Sequence, residues 1–480
     1  MSIAIQSSMT RVLCVDLDGT LLATDVLWES FLVLLKTQPW KLVFLPLWLI
    51  RGKAYFKQQI ARHVVLNPAT LPYREDVLQF LTREKAQGRE IVLATGSDRK
   101  LAEAVGRHVG LFSEIFASDG RTNLVGRRKL TAIENYTNGK GFDYLGNGKV
   151  DLSVWKAATE AMVVHPSARL LKQMQSVSAV HQIFSPPKNG LSTVLHALRV
   201  HQWVKNVLLF IPLLLAHKIF EGEKVLLLLY AFLSFSLCAS SVYIVNDLLD
   251  LESDRHHPEK KLRPFAAGNL SISTGLILTP VLLGSSFVIA TLLLTPLFAA
   301  ALALYLALTT AYSMYLKRIA IIDVLVLAGL YTLRMLSGAV AVNVHVSPWL
   351  LAFSIFVFFS LALIKRYSEL TTIHDSSKTV VNGRDYYFDD RGFLLNIGIA
   401  SGYLSLLVFT LYVNSPEVIA LYQNPQYLWL VCPLFLYWIT RLWLLAYRGP
   451  VVEDPLVFTL KDPASYTVGA VIGLILMIAL

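Results

Sequence analysis

The chain is sparing with charge and with cysteine. Charged residues make up 16% of its 480 positions, below the roughly 25% of an ordinary soluble protein, while hydrophobic residues make up 55%. A single soluble domain is thereby excluded. Cys14, Cys238 and Cys432 lie too far apart to suggest a disulfide framework or a CxxC metal site. With only 19 prolines and 26 glycines, the chain is neither fibrous nor compositionally disordered. No basic segment leads into an apolar core at the start, so a cleavable signal is not expected and the N-terminus is expected to stay in the cytoplasm. What is present is a mean hydropathy of +0.53 and a net charge of +10. In so apolar a chain such charge faces anionic lipid more often than nucleic acid, and no nucleic-acid partner is expected. A folded polytopic membrane protein of two or more domains remains.

Polarity divides the chain. Up to about Val180 it is ordinary, and five short apolar runs (11–17, 90–95, 114–117, 142–145 and 161–164) alternate with longer helical stretches. That alternation predicts a parallel sheet with crossover helices. The first two runs are separated by too many residues for one crossover helix, which predicts a helical cap over about 24–85. Inside it, residues 40–50 are strongly apolar but short of the roughly 20 residues a span requires. Flanked by Lys36, Arg51 and Lys53, the segment reads either as an anchor on the bilayer surface or as a buried cap helix. The expected division is 1–184 for the soluble domain, 185–192 for a linker containing Ser185 to Gly190, and 193–480 for the membrane domain.

Nine apolar stretches follow: 203–220, 225–249, 272–293, 296–314, 319–342, 347–364, 392–413, 427–447 and 465–480. Starting inside, the connections after even spans carry Arg255, Lys260, Lys261, Arg263, Lys317, Arg318, Lys365, Arg366, Lys378, Arg384, Arg391, Arg448 and Lys461. Those after odd spans carry only Lys218 and Lys224. The asymmetry fits nine spans with basic loops inside, in the inner (cytoplasmic) membrane.

Asp16 and Asp18 stand two residues apart where the first strand ends and Gly19 permits a tight turn. Ligands of open α/β sheets bind at that end. The pair suits Mg2+ and a phosphoryl group, one carboxylate attacking and the other shuttling protons; the plainer alternative is a turn cap. The string Asp16-Leu-Asp-Gly-Thr20 resembles the first motif of the haloacid dehalogenase (HAD) superfamily, and the likeness extends over about residues 10–175. The resemblance implies a Rossmann-like α/β domain with a helical cap. It makes Asp16 the nucleophile and Asp18 the acid/base, both metal ligands, and Thr95 the phosphate-binding hydroxyl. Lys129, beside Arg127 and Arg128, is the implied third-motif lysine, with Lys140 competing. The fourth motif departs, reading Gly146-Asn-Gly-Lys-Val-Asp151. Asn147 and Asp151 are then the remaining metal ligands, and with a neutral Asn147 and a positive Lys149 the metal affinity is expected to fall. Both an active phosphatase and a regulatory or structural remnant stay open.

In the second expected span, Asp247, Asp250 and Asp254 recur at i, i+3 and i+7, one face of a helix. Acids near lipid depth face a cavity, a partner or an ion, and these hard oxygen ligands suit Mg2+. The alternative is a solvated helix end paired with Arg255, Lys260 and Lys261. The pattern from Asn246 to Asp254 resembles the first Asp-rich motif of the UbiA superfamily of intramembrane prenyltransferases, with the likeness covering about residues 193–480. The resemblance implies an all-α domain of nine transmembrane helices in which this motif binds an Mg-diphosphate leaving group.

The second Asp-rich motif of aromatic prenyltransferases is missing. In its place stand Leu363-Ile-Lys-Arg-Tyr-Ser-Glu369 and Gly383-Arg-Asp-Tyr386. With Arg199-Val-His-Gln-Trp-Val-Lys-Asn206, Lys261-Leu-Arg-Pro264 and Tyr312-Ser-Met-Tyr-Leu-Lys-Arg318, these resemble the branch that includes decaprenyl-phosphate phosphoribosyltransferase, although His201 departs from its usual pattern. That branch implies 5-phosphoribosyl diphosphate as donor and a polyprenyl phosphate as acceptor. The chemistry points the same way, because a lipid phosphate meeting a sugar phosphate needs many cations and a phenol needs few. Lys205, Arg263, Lys317, Arg318, Arg334, Lys365, Arg366 and Arg384 supply charge, with Asn246 and Tyr367 beside them. Lys317 and Arg318 serve equally well as topology determinants. Glu369 and Asp385 are candidates for a second metal ligand or for orienting the ribose. Prenyl transfer to an aromatic acceptor is the alternative activity, and a transporter or scaffold the non-enzymatic one. A HAD domain beside such an enzyme has a task at hand, removal of the 5-phosphate. No oligomeric state is legible.

Overall fold

The computed structural model describes residues 11–185, 190–371, 384–449 and 454–480. Residues 186–189 of the expected linker, and with them Lys378 and Gly383, lie outside the described residues. The chain forms two compact units, Met1–Leu198 with Tyr243–Thr279, and Arg199–Val242 with Pro280–Leu480.

The first unit is built on a six-stranded, wholly parallel sheet in the order β3-β2-β1-β4-β5-β6. The strands are β1 (Val12–Val15), β2 (Ile91–Asp98), β3 (Glu114–Ser118), β4 (Phe142–Gly146), β5 (Ala161–Val164) and β6 (Val180–Phe184). Leu13, Cys14 and Val15 are fully buried, as in a strand covered on both faces. All five expected runs are strands. The sixth, β6, gives no strand signal because His181 and Gln182 break the apolar run and only Phe184 is buried.

Helices fill the long first connection: α1 (Val26–Thr37), α2 (Leu45–Ile50), α3 (Lys53–His63) and α4 (Glu75–Ala86). Val77 and Leu81 of α4 pack with Leu13, Ile91 and Leu93, and α4 leads directly into β2. The inserted helices have a small core of their own, Leu34, Ile60 and Val64 with Leu45, Trp48 and Phe56 packed against it. Residues 40–50 are not the buried cap helix that was one of two expectations: no residue of Pro39–Phe44 or Leu45–Ile50 is buried, and Val43 and Ile50 are 77% and 81% exposed. No acidic residue occurs between Glu29 and Glu75, whereas Lys36, Lys41, Arg51, Lys53, Lys57, Arg62 and Arg74 do.

The second unit is helical. Among the described residues, seven helices are long and apolar enough to cross a membrane: α7 (Gly222–Leu249), α9 (Ile272–Leu293), α10 (Pro296–Met314), α11 (Ile322–Ala341), α12 (Pro348–Thr371), and the runs Phe388–Val413 and Pro425–Arg448, which contain α13 (Arg391–Val413) and α14 (Val431–Arg448). Counting Leu191–Ala197 with Val200–Leu215 as one broken span makes eight. The expected nine are not reached, for two physical reasons. The stretch expected over 203–220 is a 3-10 segment, Val200–Phe210, followed by the short Ile211–Leu215. The last stretch forms α15 (Pro463–Ala479), whose 17 residues rise only about 25 Å against a hydrocarbon core of about 30 Å. The core of this unit joins α11, α12, α13 and α14 through Val324, Ala328, Phe358, Leu361, Leu394, Ile439 and Trp443. Gly338 on α11 lets the backbone of Leu209 come so close that an added Cβ would lie 1.9 Å from its carbonyl oxygen. Small residues at helix contacts are the usual means of close approach in membranes.

Candidate active sites

At the carboxyl end of β1, the chain turns through Gly19 with φ +73°. A Cβ there would stand 1.9 Å from Nδ2 of Asn147, so glycine is required both by the backbone and by the close approach of the fourth-motif loop. Lys129, on α6 (Arg127–Thr137), with α5 (Arg99–Val109) preceding it, is buried. It donates to Asp16 Oδ1 at 2.9 Å, Asp151 Oδ1 at 3.2 Å and the Tyr144 hydroxyl at 2.9 Å. Lys140 is exposed, which decides between the two lysines. Asp18 accepts from Ser97 Oγ at 2.5 Å and from the Val26 N–H at 2.8 Å. Thr95 is fully buried at the end of β2, where its hydroxyl accepts from the Ser97 N–H at 3.1 Å. Asp16, Asp18, Thr95, Lys129, Asn147 and Asp151 thus belong to one locality. Ser97 was not assigned a role, although its two-residue spacing from Thr95 places it on the same side of a strand.

Burial raises Asp16 to about 7 against the pull of Lys129, with Asp151 and Asp18 adding repulsion. It raises Asp18 to about 6, with Asp25 adding to it and Ser97 opposing. Burial disfavours the Lys129 ammonium, but Asp16 and Asp151 outweigh it and hold the group above its ordinary range. Crowded, buried carboxylates of this kind are what a divalent cation relieves. The donors fit such an ion only in part. Asp151, expected as a ligand, accepts from Lys129, from Tyr144 at 2.7 Å and from the Gly148 N–H at 3.1 Å, and Asn147 is neutral. Among the described residues, no group of three or more His, Cys, Asp or Glu is arranged around a metal position.

The Asp-rich segment departs from the single helical face expected of it. α7 ends at Leu249, Asp250 breaks the helix at φ −100° and ψ 12°, and α8 (Leu251–His256) begins anew. Asp247 and Asp254, both 3% exposed, nevertheless converge, accepting from Nη1 of Arg263 at 3.1 and 2.6 Å. Asp250 is partly exposed at the break and forms no ion pair among the described residues, and Asn246, also partly exposed, caps that turn through its carbonyl. Arg255 does not pair with these acids but with Glu29. Two buried carboxylates sharing one guanidinium form a hard-oxygen set that suits Mg2+.

In the second unit, Lys205 donates to Asp454 Oδ2 at 2.8 Å, Lys365 lies 3.7 Å from the same oxygen, and the Tyr331 hydroxyl donates to it at 3.0 Å. Asp454 was missed because Asp454-Pro455 reads as a helix start; it does accept from the Leu456 N–H as an N-cap, and its side chain serves both ends. Arg334 is buried, donating to Asn206 Oδ1 at 3.0 Å, the Tyr305 hydroxyl at 2.8 Å and the Leu330 carbonyl at 3.0 Å. Arg366 spends its guanidinium on Asp323 (2.5 Å), Glu369 (2.6 Å) and the Tyr312 hydroxyl (3.0 Å). Arg384 also pairs with Glu369, and Tyr386 donates to Asp323. Every arm of the Arg366 guanidinium is thus engaged within this network. Tyr367 packs in the apolar core, edge-on to Trp443. Lys317 and Arg318 lie in the short turn Leu316–Arg318 after α10, and Asp385 is exposed.

A model of the UbiA prenyltransferase family matches residues 207–460, more than half of the chain. The chain belongs to the UbiA prenyltransferase family. A haloacid dehalogenase-like hydrolase model matches residues 13–155, so this UbiA member carries a HAD domain at its N-terminal side. The apolar helices and the family together make it an integral membrane enzyme. Its likeness to a Sinorhizobium fredii protein, "Uncharacterized protein y4nM", is 38% identity over 462 residues, 95% of this chain and 89% of that one, and so runs through both regions. Nodulation protein NoeC of Azorhizobium caulinodans is 36% identical over 290 residues, 59% of this chain and 93% of that protein. Decaprenyl-phosphate phosphoribosyltransferase of Mycobacterium tuberculosis is 37% identical over 193 residues, 39% of this chain and 63% of that protein. Among solved structures, a UbiA homolog from Archaeoglobus fulgidus bound to GPP and Mg2+ aligns at TM-score 0.47 and 16% identity, covering 59% of this chain and 98% of that one.

Proposed function

We propose that the chain transfers a 5-phosphoribosyl group from phosphoribosyl diphosphate to a polyprenyl phosphate, with Mg2+ as cofactor, at the cytoplasmic face of the inner membrane. The observation that carries this reading is the pair Lys205 and Lys365 gathered on Asp454 where the chain lacks a second Asp-rich motif. Anionic acceptor and anionic donor must both be neutralised before they approach one another. The 37% identity to a mycobacterial enzyme named for this transfer supports it.

In this reading Asp247 and Asp254, with Asp250 beside them, hold Mg2+, which supplies neutralisation of the charge that grows on departing diphosphate. Arg263, already at those two carboxylates, adds a donor for diphosphate oxygens. Lys205 and Lys365 bind phosphate oxygens, and Asp454 keeps the two ammonium groups aimed. Arg366, Glu369 and Arg384 hold the end of α12 in place. C1 of the ribose becomes oxocarbenium-like as the diphosphate leaves, and an oxygen of the lipid phosphate attacks it, with no covalent enzyme intermediate.

The HAD domain acts on the product: Asp16 attacks the phosphorus of the 5-phosphate, the ribose O5–P bond breaks as Asp18 protonates the departing oxygen, and water, giving its proton to Asp18, then hydrolyses the aspartyl phosphate to free phosphate, while Lys129 orients Asp16. Asn147 makes Mg2+ binding weak there. Residues 40–50 rest on the cytoplasmic bilayer surface, an assignment supported by their exposed apolar side chains in a segment without acids.

The test is to incubate the purified protein in lipid nanodiscs with polyprenyl phosphate, radiolabelled phosphoribosyl diphosphate and Mg2+. A labelled lipid is expected. Consumption of phenolic acids with a polyprenyl diphosphate, and none of phosphoribosyl diphosphate, would instead establish prenyl transfer.

A further inference from the structure

The segment that carries Asp247 and Asp254 is held by the N-terminal domain at three places. Arg255, the neighbour of Asp254, donates from Nη2 to Glu29 Oε1 at 2.6 Å and from Nη1 to Oε2 at 3.2 Å. The two side chains are 9% and 6% exposed. The remaining arm of Arg255 donates from Nε to the Ala266 carbonyl at 3.1 Å, closing the loop that contains Arg263. Lys36 donates to the Leu249 carbonyl at 3.3 Å, at the end of α7. Gly268, at φ +71°, sits against Ala23 so closely that a Cβ would lie 2.5 Å from the Ala23 Cβ and 2.8 Å from its carbonyl oxygen.

All three contacts come from one stretch, from Ala23 to Lys36, which begins just after the Asp16–Asp18 turn. The first turn of α1 is itself fastened to that turn, since the Val26 N–H donates to Asp18 at 2.8 Å. A continuous line therefore runs from Asp18 through α1 and Glu29 to Arg255, and from there by one peptide to Asp254, which shares Arg263 with Asp247. A bidentate Arg–carboxylate pair fixes angle as well as distance. Removing one partner of a buried pair leaves the other charge stranded.

We infer that Glu29 is a positioning residue for the Asp-rich segment, acting through Arg255, so that the HAD domain sets the geometry at which Asp247 and Asp254 receive their ligand. The inference rests on the reading that these two acids bind a metal and diphosphate. It gives the HAD domain a role that needs no turnover and that tolerates Asn147 in the fourth motif. Loss of a partner that orients metal ligands costs about 10- to 100-fold in metal affinity.

The experiment uses the full chain in nanodiscs, as wild type, Glu29→Gln, Arg255→Lys and the swap Glu29→Arg with Arg255→Glu. Two quantities are read: binding of Mn2+ with inorganic diphosphate, and hydrogen exchange in peptides covering 247–268, with peptides covering 348–371 as a control for global unfolding. Glu29→Gln is expected to weaken Mn2+-diphosphate binding about tenfold or more and to speed exchange over 247–268 alone. Arg255→Lys, unable to make a bidentate pair, is expected to do the same more mildly, and the swap to restore both. Unchanged exchange over 247–268 in Glu29→Gln would overturn the inference. Wild-type protein that binds no diphosphate with Mn2+ would sink the metal reading instead, and the exchange data would still judge the docking.

Discussion

Lys205 and Asp454 meet at 2.8 Å although 249 residues separate them in sequence, each with only 11% of its side chain exposed. Lys365 approaches the same carboxylate. The helical region thus contains two lysines that share one acid, an arrangement that eases their mutual repulsion and leaves one positive charge over for an anion.

Replacing that acid separates stability from charge. Asp454→Ala leaves Lys205 without its partner in a buried position and is expected to cost about 3–5 kcal/mol, as broken buried pairs do. The measurement is a melting curve in detergent, and the double variant with Lys205→Met is expected to recover part of the loss.

Two glycines of α11 predict opposite outcomes. Gly338→Ala must push the Leu209 backbone away and is expected to cost about 3 kcal/mol. Gly329→Ala meets nothing within 4 Å and is expected to stabilise by up to about 1 kcal/mol, as alanine does in a helix interior. Fluorescence-detected size exclusion after heating reads both.

Asn147→Asp restores a carboxylate beside Asp16 and Asp18. It is expected to lower the Mg2+ concentration for half-maximal hydrolysis of p-nitrophenyl phosphate by about tenfold, equivalent to about 1.4 kcal/mol. Asp16→Asn is expected to abolish that hydrolysis in either background.

Residues 40–50 are expected to touch lipid. Ile50→Cys, labelled with an environment-sensitive dye after replacement of Cys432, is expected to show blue-shifted emission quenched by brominated lipid. Lys140→Cys, exposed on the same domain, is expected to show neither.

Much of this was legible in the sequence, and the failures have physical causes. β1, β2, β4 and β5 were readable because strands buried on both faces are rich in apolar runs, and the edge strand β3 because Ile115, Phe116 and Ala117 are consecutive apolar residues; β6, interrupted by His181 and Gln182, gave no such signal. The Asp16 and Asp18 pair was legible at the local turn after β1, whereas the place of Lys129, 113 residues away on α6, came only from the resemblance to the HAD motifs. The convergence of Asp247 and Asp254 was legible, but the break at Asp250 was not, because a helical period carries no information on where backbone hydrogen bonds stop. Asp454, Asp323 and Glu29 were illegible as partners of Lys205, Arg366 and Arg255, since each pair joins residues far apart in the chain. The packing of Tyr367 on Trp443 was not legible, because its neighbours Arg366 and Glu369 are polar.

The most direct test is product formation by Asp247→Asn and wild type side by side, with radiolabelled phosphoribosyl diphosphate, polyprenyl phosphate and a titration of Mg2+. The account predicts an Mg2+-dependent labelled lipid from the wild type and its loss in the variant, with the variant still folded by size exclusion. An amide variant that makes the lipid at the wild-type rate, or a wild type that makes it equally well in chelator, would contradict it.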